Sequence, residues 1–125
     1  MIELLLVGAG GFIGSTFRYV LMQLFSNIAS NSSFPWGIFI ANISGSLLIG
    51  LLAGLTESRN AINPEIRLFL FVGLLGGFTT FSSITNDTLT LFRSSQFALA
   101  FANIGLTVFL GMLFVALGYF LARSN

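Results

Sequence analysis

The sequence predicts an all-α membrane protein with four transmembrane helices, the third broken near its middle. Composition sets the solvent: 55% of the 125 residues are hydrophobic, 15 are phenylalanine, and only five Lys/Arg and four Asp/Glu are present. That balance lies far outside the range of soluble globular domains. Four apolar stretches, 4–26, 36–56, 66–92 and 97–121, are each long enough to cross a hydrocarbon core about 30 Å thick, which needs roughly 20 helical residues. The third stretch carries an interruption: Gly73 to Thr88 contains a glycine-rich run, six hydroxyl side chains and one carboxylate. Non-helical backbone at membrane depth leaves N–H and C=O groups that lipid cannot satisfy. It is tolerated only where it is buried in protein, holds an ion or lines a watery path. Function is therefore expected in the third span, and transport is the class it points to.

The first span contains Gly8, Gly10, Gly11 and Gly14. Small residues let helix backbones approach closely in lipid, where hydrophobic burial does not drive association, so packing is the preferred role for them. The N-terminus has neither a basic region nor a small-residue cleavage site, and the segment is expected to be retained. Arg18 cannot discharge, and a charge at a helix centre costs about 2.5–3.5 kcal/mol on insertion scales. It must reach a headgroup, a partner or a vestibule; its place toward the far end of the span makes snorkelling an equal alternative.

The first connection, Ser26 to Pro35, is a polar Ser/Asn loop. Pro35 suits a helix start and Trp36 the interfacial aromatic belt. The second span follows, with Gly45, Gly50 and Gly54, the last two spaced as in a GxxxG contact. Asn42 and Ser46 share one face of it. An idle amide is expensive at that depth. Asn42 either donates to an anion or lines water, the preferred role, or it makes an interhelical hydrogen bond. The second connection carries Glu57, Arg59, Asn60, Asn63, Pro64 and Glu65 and belongs outside the bilayer.

On the third span, a helix resuming near Thr80 places Thr80, Ser83 and Asp87 on one face, with Phe81 and Ile84 as the neighbouring stripe. Hydroxyls donate hydrogen bonds, and the ring edge of Phe81 is the positive rim of its quadrupole, so both favour a small anion; periodicity alone reads the ring as packing. Asp87 is the only carboxylate within these four spans, placed for a pore mouth or for pairing with Arg93. A short connection, Arg93 to Gln96, leads to the fourth span. There Asn103, Thr107 and Gly111 repeat every four residues as a thin polar stripe, which either lines a pore or bonds its own helix backbone. Residues 1–125 read as a single four-span domain with no internal repeat.

What is missing narrows the function. The chain has no Cys and no His, which removes thiolate ligands, the commonest metal ligand and the commonest general base, and an enzyme is not expected. A net charge of +1, thinly spread, gives no nucleic-acid footprint. With an even number of spans, Arg59, Arg67 and Arg123 lie on one side and Arg93, with Arg18, on the other. That is a weak positive-inside signal. Either copies insert in both orientations and pair antiparallel, or one orientation is selected by a bias this count does not resolve. Four helices can hardly enclose a polar path alone, and a two-fold oligomer is the commonest remedy.

Gly76-Gly77-Phe78-Thr79-Thr80-Phe81-Ser82-Ser83, together with Gly10-Gly11 through Arg18-Tyr19 and Phe34-Pro35-Trp36-Gly37 ahead of Asn42, strongly resembles the CrcB/Fluc family of bacterial fluoride channels. The resemblance covers all four spans in order. It implies an antiparallel, dual-topology homodimer in the bacterial inner membrane. Two fluoride pores at the subunit interface would export F⁻ passively from the cytoplasm and confer fluoride resistance. It also implies one central, non-transported Na⁺ held by the backbone carbonyls of Gly76 and Thr79 from both subunits. The same resemblance assigns Phe81 to an aromatic box along the pore, Asn42 as a donor near it, Ser82 and Ser83 beside the path, Asp87 near an entrance and Arg18 in the vestibule. Asn103 and Thr107 join the pore set through their polar stripe.

Three positions depart from the family pattern. Ile84 stands where the second phenylalanine of the box belongs, and isoleucine supplies bulk without a quadrupole. Ile38 replaces a common threonine, and Asn103 an occasional tyrosine. Reduced conduction with an intact fold is the expected consequence. The mechanism implied is electrodiffusion of F⁻, with dehydration offset by close hydroxyl, amide and aromatic-edge donors in a tube too narrow for larger halides. Two other readings stand beside it. A proton-coupled small multidrug transporter needs an embedded carboxylate, and Leu4 to Phe25 has none. A non-transporting assembly protein would not require an interrupted third span.

Overall fold

The computed structural model describes residues 1–59 and 62–124; Asn60, expected in the second connection, lies outside the described residues. Helix α1 spans Ile2–Ile28 and α2 Trp36–Arg59. The third span, Pro64–Arg93, is assembled from pieces: α3 (Pro64–Arg67), a π-helical stretch (Leu68–Leu75), α4 (Gly76–Phe78) and α5 (Phe81–Arg93). Helix α6 covers Phe97–Arg123. Four helical runs are long and apolar enough to cross a membrane, and no strand occurs among the described residues. The protein is a multi-pass membrane protein.

The chain ends of each helix explain where it starts and stops. Phe34, Trp36 and Phe39 cluster at the start of α2, with ring centroids 4.7–5.9 Å apart, and Ser32 Oγ accepts from Trp36 Nε1 at 3.2 Å. Asn63 caps α3 by accepting from the Ile66 N–H at 2.8 Å, with Pro64 next in the first turn, which removes a donor that would be orphaned there. Helix α5 ends in a Schellman motif: Gln96 N–H donates to Leu91 O at 2.9 Å and Ser95 N–H to Phe92 O at 3.0 Å. Ser95 takes the left-handed conformation this requires, φ 59°.

Two close helix contacts organise the bundle. Helix α1 lies along the π-helical stretch and α4, and α2 along α6. In the first contact Gly10 faces Gly73, Gly11 faces Gly77 and Gly14 lies against the Leu74 backbone. A Cβ on Gly10 would meet Phe69 O at 2.5 Å, and one on Gly77 would meet Gly11 O at 2.7 Å. In the second, a Cβ on Gly54 would meet Tyr119 O at 2.5 Å and one on Gly118 would meet Leu51 N at 2.8 Å. Backbone against backbone is the geometry that maximises dispersion where lipid removes the hydrophobic drive. These glycines therefore serve packing, although nothing lies within 4 Å of a Cβ on Gly8. Helix α5 packs mainly on α6.

The third span bends where α4 meets α5. Thr79 (φ −93°, ψ 147°) and Thr80 (φ −152°, ψ 125°) are extended, forming a two-residue joint that keeps the two halves continuous.

Candidate functional site

The joint is held by hydrogen bonds that replace the helical ones. Thr80 N–H donates to Asn42 Oδ1 on α2 at 2.9 Å, so it does not return to the Gly76 carbonyl four residues back. Ser83 N–H donates to Thr80 Oγ1 at 3.4 Å, the cap of α5, and so leaves the Thr79 carbonyl without its helical donor. Two carbonyl oxygens, of Gly76 and Thr79, are thereby released from the ladder at one bend. Asn42 is buried, and its Nδ2 donates to Ile38 O at 2.8 Å. The interhelical hydrogen bond, the less preferred of its two expected roles, is thus present, and one Nδ2 hydrogen remains for another acceptor. Gly45, one turn on from Asn42, leaves the room that the Thr79 methyl occupies.

Beyond the joint, Ser82, Ser83 and Asp87 meet Met22 and Ile38 around a cavity of about 390 Å³. Asp87 also lines an adjoining cavity of about 320 Å³ that reaches Ser26, Ser32 and Trp36. Its Oδ2 is buried and accepts no hydrogen bond. Ser82 Oγ lies 3.0 Å from Thr80 Oγ1, linking this cavity to the joint.

A third group lies between α5 and α6. Asn103, 1% exposed, donates through Nδ2 to Thr88 Oγ1 at 3.0 Å and to Ile84 O at 3.3 Å, while its Oδ1 is buried without a partner. Thr107 is buried and bonds its own helix at Asn103 O, 2.5 Å away. Ile84 packs into this contact at 7% exposure, whereas Phe81, one turn earlier, is 70% exposed. The structure therefore separates these two members of the expected stripe within one chain. Arg18 is half-buried on α1 and lines neither polar cavity.

Thr88 counts among the six hydroxyls of the Gly73–Thr88 stretch, but only the Ile84–Thr88–Leu91 spacing hints that it lies on the face of α5 turned to α6. The Thr80 N–H was also missed, because its acceptor lies 38 residues away. Outward on α5, Ser82, Thr85, Asn86 and Thr90 are exposed in a single chain, a polar face that lipid does not solvate. Among the described residues no three His, Cys, Asp or Glu side chains converge.

A family model described as CrcB-like protein, Camphor Resistance (CrcB), matches residues 5–119. The chain belongs to the CrcB family. It is 42% identical over 118 residues to the fluoride-specific ion channel FluC of Flavobacterium psychrophilum, covering 94% of each chain. It is 42% identical over 124 residues to the protein of the same name from Rhizobium meliloti, covering 99% of this chain and 98% of that one. With the FluC of Elusimicrobium minutum it shares 40% identity over 121 residues, 97% of this chain and 94% of the relative. These alignments run over 94–99% of the chain.

Proposed function

We propose that the protein is a fluoride-specific channel that lets F⁻ leave the cytoplasm down its gradient across the bacterial inner membrane. The observation that carries this reading is the near-complete coverage of relatives named fluoride-specific ion channels by a chain whose third span bends at the Gly76–Ser83 signature. Neutral HF enters cells and ionises inside, and a passive anion path relieves that accumulation without an energy source.

The working unit in this proposal is an antiparallel homodimer with two pores at the subunit interface. Its support is the exposed polar face of α5: covering Ser82, Thr85 and Asn86 with a second copy removes them from lipid and places Phe81 in a contact. Fluoride is small and strongly hydrated, so donors must replace its water at close range. Hydroxyls of Ser82 and Ser83, the remaining Nδ2 hydrogen of Asn42 and the ring edge of Phe81 provide them. Asp87 and Arg18 stand toward the entrances. Asn103, bonded to Thr88 and Ile84 of α5, acts on the path by fixing that helix, and Thr107 is buried one turn further along α6.

The residues at the joint fit a resident Na⁺. Gly76 and Thr79 offer carbonyl oxygens freed from helical donors, and carbonyls suit a hard monovalent cation without a balancing carboxylate. Bound there, the ion supplies positive charge that satisfies orphaned acceptors from two crossing joints; it is not transported. Expression in a bacterium lacking its own fluoride exporter tests the proposal. Growth in fluoride medium should be restored by this chain and not by Asn42→Ala; no rescue by a chain that reaches the membrane would contradict it.

A further inference from the structure

At the end of the bundle where α2 finishes and the third span begins, a cleft of about 800 Å³ opens between Thr56, Asn63, Arg67, Leu68, Phe71 and Val72. It is divided by chemistry. Its floor is the apolar side of the π-helical stretch, with Val72 56% exposed. Its rim carries Arg67, whose guanidinium is held 5.6 Å from the Phe71 ring centroid and has no carboxylate within ion-pair distance among the described residues. Asn63 Oδ1 is taken by the Ile66 N–H at 2.8 Å, leaving its Nδ2 as a donor on the same rim. The Thr56 hydroxyl is turned inward to Leu52 O at 2.7 Å.

The level matters. Helix α2 ends at Arg59 and the third span starts at Pro64, so the rim stands at the headgroup layer and the floor points toward the acyl region. A cation fixed by an aromatic ring above a lipid-facing cleft is complementary to a negatively charged headgroup with a chain beneath it. The other ionic cluster differs in kind: Arg123 is 3.9 Å from Glu57 and bonds Tyr119, which in turn donates to Glu57. Its charge is internally balanced.

We infer that the Arg67 cleft is a binding site for an anionic phospholipid, its phosphate on Arg67 and Asn63 Nδ2 and an acyl chain along Leu68, Phe71 and Val72. The inference is independent of which ion the protein conducts.

Native mass spectrometry of the full-length protein in detergent, offered equimolar phosphatidylglycerol and phosphatidylcholine, reads it directly. The wild type should retain phosphatidylglycerol preferentially. Arg67→Gln should lower that preference about five-fold, the effect of one basic residue at an anionic surface, while Arg123→Gln should leave it unchanged. Val72→Trp, which fills the floor and keeps the guanidinium, should reduce retention of both lipids and keeps the test open if Arg67→Gln does not fold. An unchanged preference in Arg67→Gln, or an equal loss in Arg123→Gln, would overturn the assignment. Displacement of phosphatidylglycerol by excess soluble glycerol phosphate would also overturn it, as the mark of a small-anion site without a chain groove.

Discussion

Replacing Asn42 by alanine tests the joint itself. Asn42 is 7% exposed and its Oδ1 accepts the Thr80 N–H at 2.9 Å. Truncation leaves that N–H without an acceptor, at a cost of about 1–3 kcal/mol. The chain has one local way to recover it, which is to rewind Thr79 and Thr80 so that Thr80 donates to the Gly76 carbonyl. A bias of that size changes the population of the bent form by roughly 5- to 150-fold. Rewinding would also re-engage a carbonyl proposed to hold Na⁺ and rotate Ser82 and Ser83 away from the cavity they share with Asp87. Fluoride efflux from liposomes should therefore fall by roughly 5-fold or more, while helical content and elution volume stay those of the wild type. Wild-type efflux from a folded Asn42→Ala protein would refute the reasoning, since the bend would then be set by something other than this bond.

Three further substitutions probe the framework. Gly118→Leu forces a side chain against Leu51 N, where even a Cβ would lie 2.8 Å away; it should destabilise the α2–α6 contact by about 1–3 kcal/mol or more, seen as a lower thermal midpoint and heterogeneous elution. Ser95→Gly relieves a left-handed serine at φ 59° and should stabilise the protein by up to about 1 kcal/mol, measured by denaturant unfolding in detergent. Asn103→Leu removes bonds to Thr88 and Ile84 but also removes a buried, unpartnered Oδ1. Because the Thr88 hydroxyl still donates to Ile84 O at 2.7 Å, no new orphan is created, and the loss in unfolding free energy should stay below about 1 kcal/mol.

The parts of this protein legible in its sequence are those set by solvent and by local geometry. Apolar length places four membrane-capable helices, and the glycines at 10, 14, 50 and 54 mark faces where backbones meet. The Gly76–Ser83 run signals an unusual backbone because hydroxyls and glycines there interrupt a lipid-compatible segment. What stayed hidden depends on partners distant in the chain. Nothing near Asn42 announces that its carboxamide accepts from Thr80, and Thr88 becomes polar core only because Asn103 arrives from α6. The exposure of Phe81 beside a buried Ile84 follows from the rotation of α5 on α6, which periodicity alone does not fix. The left-handed turn at Ser95 escaped notice because it lacks the glycine or asparagine that ordinarily signals it.

The central claim is selective fluoride conduction. Purified protein in liposomes loaded with KF, given a potassium path by valinomycin, should release F⁻ rapidly, and matched vesicles loaded with KCl should hold their Cl⁻. Comparable release of both anions, or no fluoride release from correctly folded protein even after Ile84→Phe, would contradict it.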